Sequence, residues 1–146
     1  MVWARVANVG VWTDGATREG IYFRGGDDRV YISRTNANNA LRFLYRAGGV
    51  TLFRDVLIPF LDWRPLAFSW SASAGVNGEV RAFVSGVQQG ATLTGIGVWA
   101  DALSPTRTLL GAQAIPPFAI WHGWLGHCAV WSRALSPTEV AEVSRL

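Results

Sequence analysis

Apolar residues recur at every second position in short runs, and each run stops at a turn rich in glycine, asparagine or aspartate. In residues 40–47, Leu41, Phe43 and Tyr45 alternate with Arg42, Leu44 and Arg46. In residues 29–33, Val30 and Ile32 alternate with Arg29, Tyr31 and Ser33. A period of two sends successive side chains to opposite faces of a strand. The same strand chemistry marks "VWARVA", "GIYFRG", "VTLFRDVLI", "PLAFSWS", "EVRAFVSG", "RTLLGA" and "WLGHCAVW". Between the runs lie "GGDD", "TNANN", "AGG", "SAGVNG" and "QQG", all turn formers. Many short strands between regular turns predict an all-β, antiparallel sandwich or barrel. The stretch "TLTGIGVWADALSPT" reads as a long loop before "RTLLGA".

The chain closes differently, on a short helix expected over residues 137–145. Ser136 is a good N-cap, Pro137 fits the first helical position, and Glu139 completes a capping box. Val140, Val143 and Leu146 recur at helical spacing. About two turns of helix are unstable alone in water, so this one must lean on a sheet.

The 146 residues suffice for one domain, residues 1–146, with one core. Half are hydrophobic and 16% are charged, as in a globular chain rather than a disordered one. No apolar run reaches 18 residues, so no membrane insertion is expected, and no signal peptide is visible at the start. A single cysteine, Cys128, excludes an internal disulfide and reads as a small core residue. All thirteen basic residues are arginine and the formal net charge is +3. The arginines are scattered singly, which argues for a solvated surface and against nucleic acid.

"DWRPLAFSWSASAGVNGEVRAFVSGVQQG" resembles the middle of a laminin G-like domain of the concanavalin A-like jelly-roll superfamily. Trp63, Ala67 and Trp70 match that family's tryptophan-flanked strand, and Val84, Ser85 and Gly86 stand at its Val-Asp-Gly hairpin. "GWLGHCAVWSRALSPTEVAEV" resembles its closing strand and helix start. The resemblance runs over roughly residues 19–146, with the opening strands shortened. It implies a β-sandwich whose chain ends meet at the sheets and whose helix packs on the sandwich edge. It also implies structural roles for Trp63, Trp70 and Trp131. Gly126 and His127 replace the family's usual acidic pair, and Ser85 replaces the hairpin aspartate.

The superfamily includes glucanases, whose chemistry needs two carboxyl groups about 5 Å apart in retaining enzymes. No strand here carries such spacing: Glu19, Glu79, Glu139 and Glu142 are dispersed, and His122 and His127 have no partner at motif spacing. Catalysis, including glycoside hydrolysis, therefore ranks behind binding. No cofactor is expected. Asp27 and Asp28 in a glycine turn are weak candidates for Ca²⁺, although paired aspartates there are ordinary turn chemistry. Loop aromatics and amides that suit a glycan are Trp12, Trp99, Trp121 and Trp124, with Asn36, Asn38 and Asn39. The same rings would suit a protein neighbour. Two readings follow: a non-catalytic, lectin-like module for glycan or protein surfaces, or a virion component such as a capsid decoration or tail protein. In either, the chain would work in a larger assembly or homo-oligomer, at an extracellular or virion surface.

Overall fold

A computed structural model describes residues 1–36 and 39–145. Among the described residues eleven strands run in chain order: β1 (Val2–Val6), β2 (Arg18–Gly25), β3 (Asp28–Arg34), β4 (Leu41–Ala47), β5 (Val50–Val56), β6 (Arg64–Ser71), β7 (Glu79–Val84), β8 (Val87–Gln88), β9 (Leu93–Thr94), β10 (Thr108–Leu110) and β11 (Gly123–Gly126). A 3₁₀ turn (Val9–Trp12) follows β1, and the helix α1 (Pro137–Val143) follows β11.

Two antiparallel sheets form. One has the order β11-β1-β6-β7-β8, with β9 also paired to β7; the other has the order β10-β2-β3-β4-β5. The alternating residues face each other across the interior. Ile21, Ile32, Leu41 and Phe43 from one sheet meet Val2, Val6, Leu66 and Val84 from the other, all buried. Arg29, Tyr31, Ser33 and Arg42 take the opposite face by the same alternation. The expected β-sandwich is therefore present, and the chain ends do meet: β1 pairs with β11, and the Met1 amine donates to the Ala129 carbonyl at 2.8 Å.

The closing helix forms as its caps dictate. Ser136 Oγ accepts from the Glu139 N–H at 3.3 Å, and Glu139 Oε2 accepts from the Ser136 N–H at 2.8 Å. Arg133 adds a two-pronged ion pair to Glu139, which, with these bonds, holds that carboxyl down at about 2. Val140 packs with Ala67, Phe83 and Leu135, and Val143 lies against the same cluster. Leu146, the third residue of that stripe, lies outside the described residues.

Two local features depart from the sequence reading. The closing strand ends at Gly126, so residues 127–131 are not strand and Cys128 is exposed rather than core. β8 and β9, two residues each, were too short for periodicity to reveal. The Ser85–Gly86 hairpin has positive φ at both residues, 52° and 76°, as a type I′ turn requires. Serine thus occupies a left-handed position of the kind aspartate tolerates more readily.

Candidate functional site

The outer face of the five-stranded sheet carries a groove of about 490 Å³, and its shape begins with a β-bulge. Glu19 pairs with Ser33, then Ile21 with Ile32 and Tyr22 with Tyr31, leaving Gly20 as the extra residue. Counting back by twos from Ile21 would turn Glu19 into the core. The bulge turns it outward, to the face of Ser33 and Tyr22. Glycine fits the position closely: a Cβ at residue 20 would stand 3.2 Å from the Ile32 carbonyl oxygen and 3.8 Å from the Trp121 ring.

The connection from β10 to β11 folds over this point. The Ala119 carbonyl accepts from the Glu19 N–H at 2.8 Å, and Gln113 and Phe118 line the groove. Glu19 is 2% exposed, and its Oε2 has no hydrogen-bond partner among the described residues. Burial pushes its carboxyl up to about 8, against the opposing pull of Arg29. At neutral pH Glu19 is therefore an acid that can both donate and accept.

The neighbours give this carboxyl a polar and aromatic setting. The Tyr22 and Tyr31 rings stack at 5.9 Å with 16° between planes. Arg42 donates through two nitrogens to Asp55, each at 2.7 Å, and its guanidinium lies 4.3 Å from the Phe53 ring centroid. Arg24 and Arg29 also line the groove, as do Ser33 and Asn36. Of the three asparagines named from the sequence, Asn36 lines this groove. The Asn39 side-chain oxygen instead accepts from Arg34 at 2.6 Å, so it serves the sandwich end. Asn38 lies outside the described residues.

The tryptophans sort against expectation. Trp12 and Trp121, read as loop binders, are buried in the core. Each satisfies its indole N–H internally: Trp12 donates to the Phe60 carbonyl at 3.0 Å and Trp121 to that of Arg5 at 3.2 Å. Trp63, read as structural, is 43% exposed and lies before β6. Trp124 is exposed but sits on β11 rather than in a loop, with the Arg5 guanidinium 5.1 Å from its ring centroid. Trp131, read as a strand residue, is exposed in the irregular segment after β11. Trp70 does face inward, half-buried, 6.2 Å from Tyr45 and 6.0 Å from Phe68 between centroids. Together Trp70, Trp99 and Trp131 edge a second cavity of about 560 Å³ between the sheets.

The two aspartates of the glycine turn diverge. Asp28 is buried and accepts from the N–H groups of Ala100, Gly48 and Asp101 at 2.8, 3.1 and 3.4 Å. These bonds, the one from Ala100 foremost, hold its carboxyl below the usual range. Asp28 thereby anchors the long loop to the sheet. Asp27 is exposed, with Arg24 at 3.8 Å. Among the described residues no three His, Cys, Asp or Glu side chains gather as metal ligands would.

Period-two reasoning passes over Glu19 as a groove residue, because it places side chains but not bulges. A glycine inside a strand pattern was the available signal. With this geometry in hand, the family can be stated. The chain belongs to the concanavalin A-like lectin/glucanases superfamily, whose laminin G-like family model matches residues 1–141. The match takes in β1, which the sequence resemblance had left outside. No curated protein and no solved structure gives a significant match. Among the described residues no helix is long and apolar enough to cross a membrane.

Proposed function

We propose that this concanavalin A-like sandwich is a non-catalytic glycan-binding module, with the saccharide lying in the outer groove of the five-stranded sheet. The observation that carries this reading is the buried Glu19 carboxyl with an unpartnered oxygen, set beside stacked tyrosines. Sugars present hydroxyl groups that both donate and accept, together with apolar ring faces. Glu19, Ser33, Asn36 and Gln113 offer the matching polar groups, and Tyr31 and Phe118 the apolar surface. Glu19 is the one carboxyl lining the groove among the described residues. A retaining glycosidase needs a second about 5 Å away, so the reading stays with binding rather than cleavage.

The test is binding of the intact chain to an oligosaccharide array, repeated with Tyr31→Ala and Asn36→Ala. Retained folding by circular dichroism with lost binding supports the groove. Unchanged binding in both variants moves the site elsewhere.

A second reading, contact with protein neighbours in an assembly such as a virion surface, has its own support. Exposed Leu61, Trp63 and Trp124 lie near the β11 edge, where Arg5 links them: its Nε donates to the Leu61 carbonyl and its head lies over Trp124. Apolar rings grouped at a sheet edge suit a protein contact. Sedimentation of wild type against Trp124→Ser decides this point, since a monomer at high concentration in both removes self-assembly through the patch.

A further inference from the structure

We infer that the ligand of the groove carries a carboxylate, as uronic-acid saccharides do, held jointly by Arg29 and Glu19. This rests on the glycan reading and narrows it.

Three arginines line the groove, and their states differ. Arg42 has its fork filled by Asp55. Arg24 donates from Nε to the Gly26 carbonyl at 2.6 Å and lies 3.8 Å from Asp27. Arg29 has neither a hydrogen bond nor an ion pair among the described residues, Glu19 included. The groove thus holds two unfinished groups, a guanidinium fork and a buried carboxyl oxygen, close enough for their charges to interact. A neutral sugar hydroxyl could satisfy Glu19 but would leave the fork open. A carboxylate satisfies both. Its oxygens accept from the planar fork of Arg29, and the Glu19 O–H donates into the same group.

This pairing requires the proton on Glu19, because two ionised carboxylates at that distance would repel. The charged and titratable groups facing Glu19 are Tyr22 and Arg24 on its own strand, Arg29 and Tyr31 on β3, and Arg42 on β4. The covering connection contributes Gln113 and Phe118, neither of which titrates. Burial outweighs the arginines and keeps the proton in place to about pH 8. Affinity for a carboxylate should fall above that point.

The experiment is calorimetric titration of the full chain with galacturonate and glucuronate oligosaccharides, each beside its neutral counterpart and a sulfated one. At pH 6.5 the uronates should bind at least tenfold tighter than the neutral sugars, and the advantage should shrink at pH 9. Arg29→Gln should erase the preference, bringing uronate affinity down to that of the neutral sugar for the same variant. Glu19→Gln, whose amide can still donate, should keep uronate binding and remove the pH dependence. Equal binding of neutral and uronate sugars overturns this inference and leaves the glycan reading standing. Tighter binding of the sulfated sugars overturns the carboxylate assignment. Binding of none overturns both.

Discussion

Arg34 and Glu19 are buried ionisable side chains on adjacent strands, and they have been treated in opposite ways. Arg34 is wholly buried at one end of the sandwich. It meets Asp14 at 3.0 Å, the Asn39 side chain at 2.6 Å and the Ala16 carbonyl, with only Nε lacking a partner among the described residues. Asp14 is shared with Arg18, so the cluster closes on itself. Glu19 has no such cluster, and its Oε2 is left open. A buried ionisable group needs partners, or it changes protonation state. Arg34 keeps its charge because the chain supplies the partners. Glu19 keeps its proton because the chain does not. Each keeps one buried atom without a partner among the described residues, but Arg34 has three partners within the fold, whereas Glu19 stands at the lining of a groove.

The sharpest way to break this contrast lies under the bulge. Trp121 packs beneath Gly20 in the core, so Trp121→Ala should cost about 3–5 kcal/mol, as large core truncations do. A melt that barely moves would show that the ring does not support the groove. Arg34→Met removes charge-assisted hydrogen bonds to the Ala16 carbonyl and the Asn39 side chain, while exposed Asp14 keeps Arg18, and should cost about 1.5–3 kcal/mol. A loss well below that in chemical denaturation would mean that water already reaches the cluster.

Glu19→Gln sharpens the other side. The native carboxyl holds its proton to about pH 8, whereas the unfolded one releases it near 4.5. Between those values the native state binds more protons, so wild-type stability should fall as pH rises. The slope cannot exceed about 1.4 kcal/mol per pH unit for one group. The glutamine variant should lack that component, and a wild-type curve flat over this window would place Glu19 in contact with water. The smallest expected effect is that of calcium. Asp28 spends its oxygens on three backbone N–H groups, so added calcium should leave the melting temperature unchanged. A native-state site would add about 2.7 kcal/mol at a hundred times its dissociation constant. A rise lost in Asp28→Ala would show the loop opening to bind metal.

The sequence made the sandwich readable because burial on one face imposes period two, as in Leu41, Phe43 and Tyr45. The capped helix was equally plain, since Ser136, Pro137 and Glu139 act locally. The groove was not. Its defining carboxyl depends on one inserted residue that reverses the facing of Glu19, and alternation alone assigns that side chain to the core. The tryptophans misled for a related reason. Trp12 and Trp121 stand outside any alternating run, yet carbonyls from Phe60 and Arg5 receive their indole N–H groups and let them be buried. Trp63 and Trp131 belong to strand motifs, but Trp63 stands immediately before β6 and Trp131 lies in the irregular segment after β11 has ended at Gly126. Distant partners decided these cases, and they leave no periodic trace. Asn36 lies at the surface beside the groove, as a turn residue next to a sheet does.

The place of β1, between β6 and β11, has a consequence for the order of assembly. Strands β2 to β5 form a meander whose neighbours are close in sequence, so their hairpins can close early and cheaply. The opposite sheet cannot. Residues 2–6 must wait for residues 64–66 on one side and 123–126 on the other. Of these strands β1 is made first and completed among the last, and its apolar residues stay open until residues 123–126 have left the ribosome. Pulsed hydrogen exchange on stalled nascent chains should find β3 and β4 protected well before β1. Early protection of β1 would mean that it shelters first against a non-native neighbour.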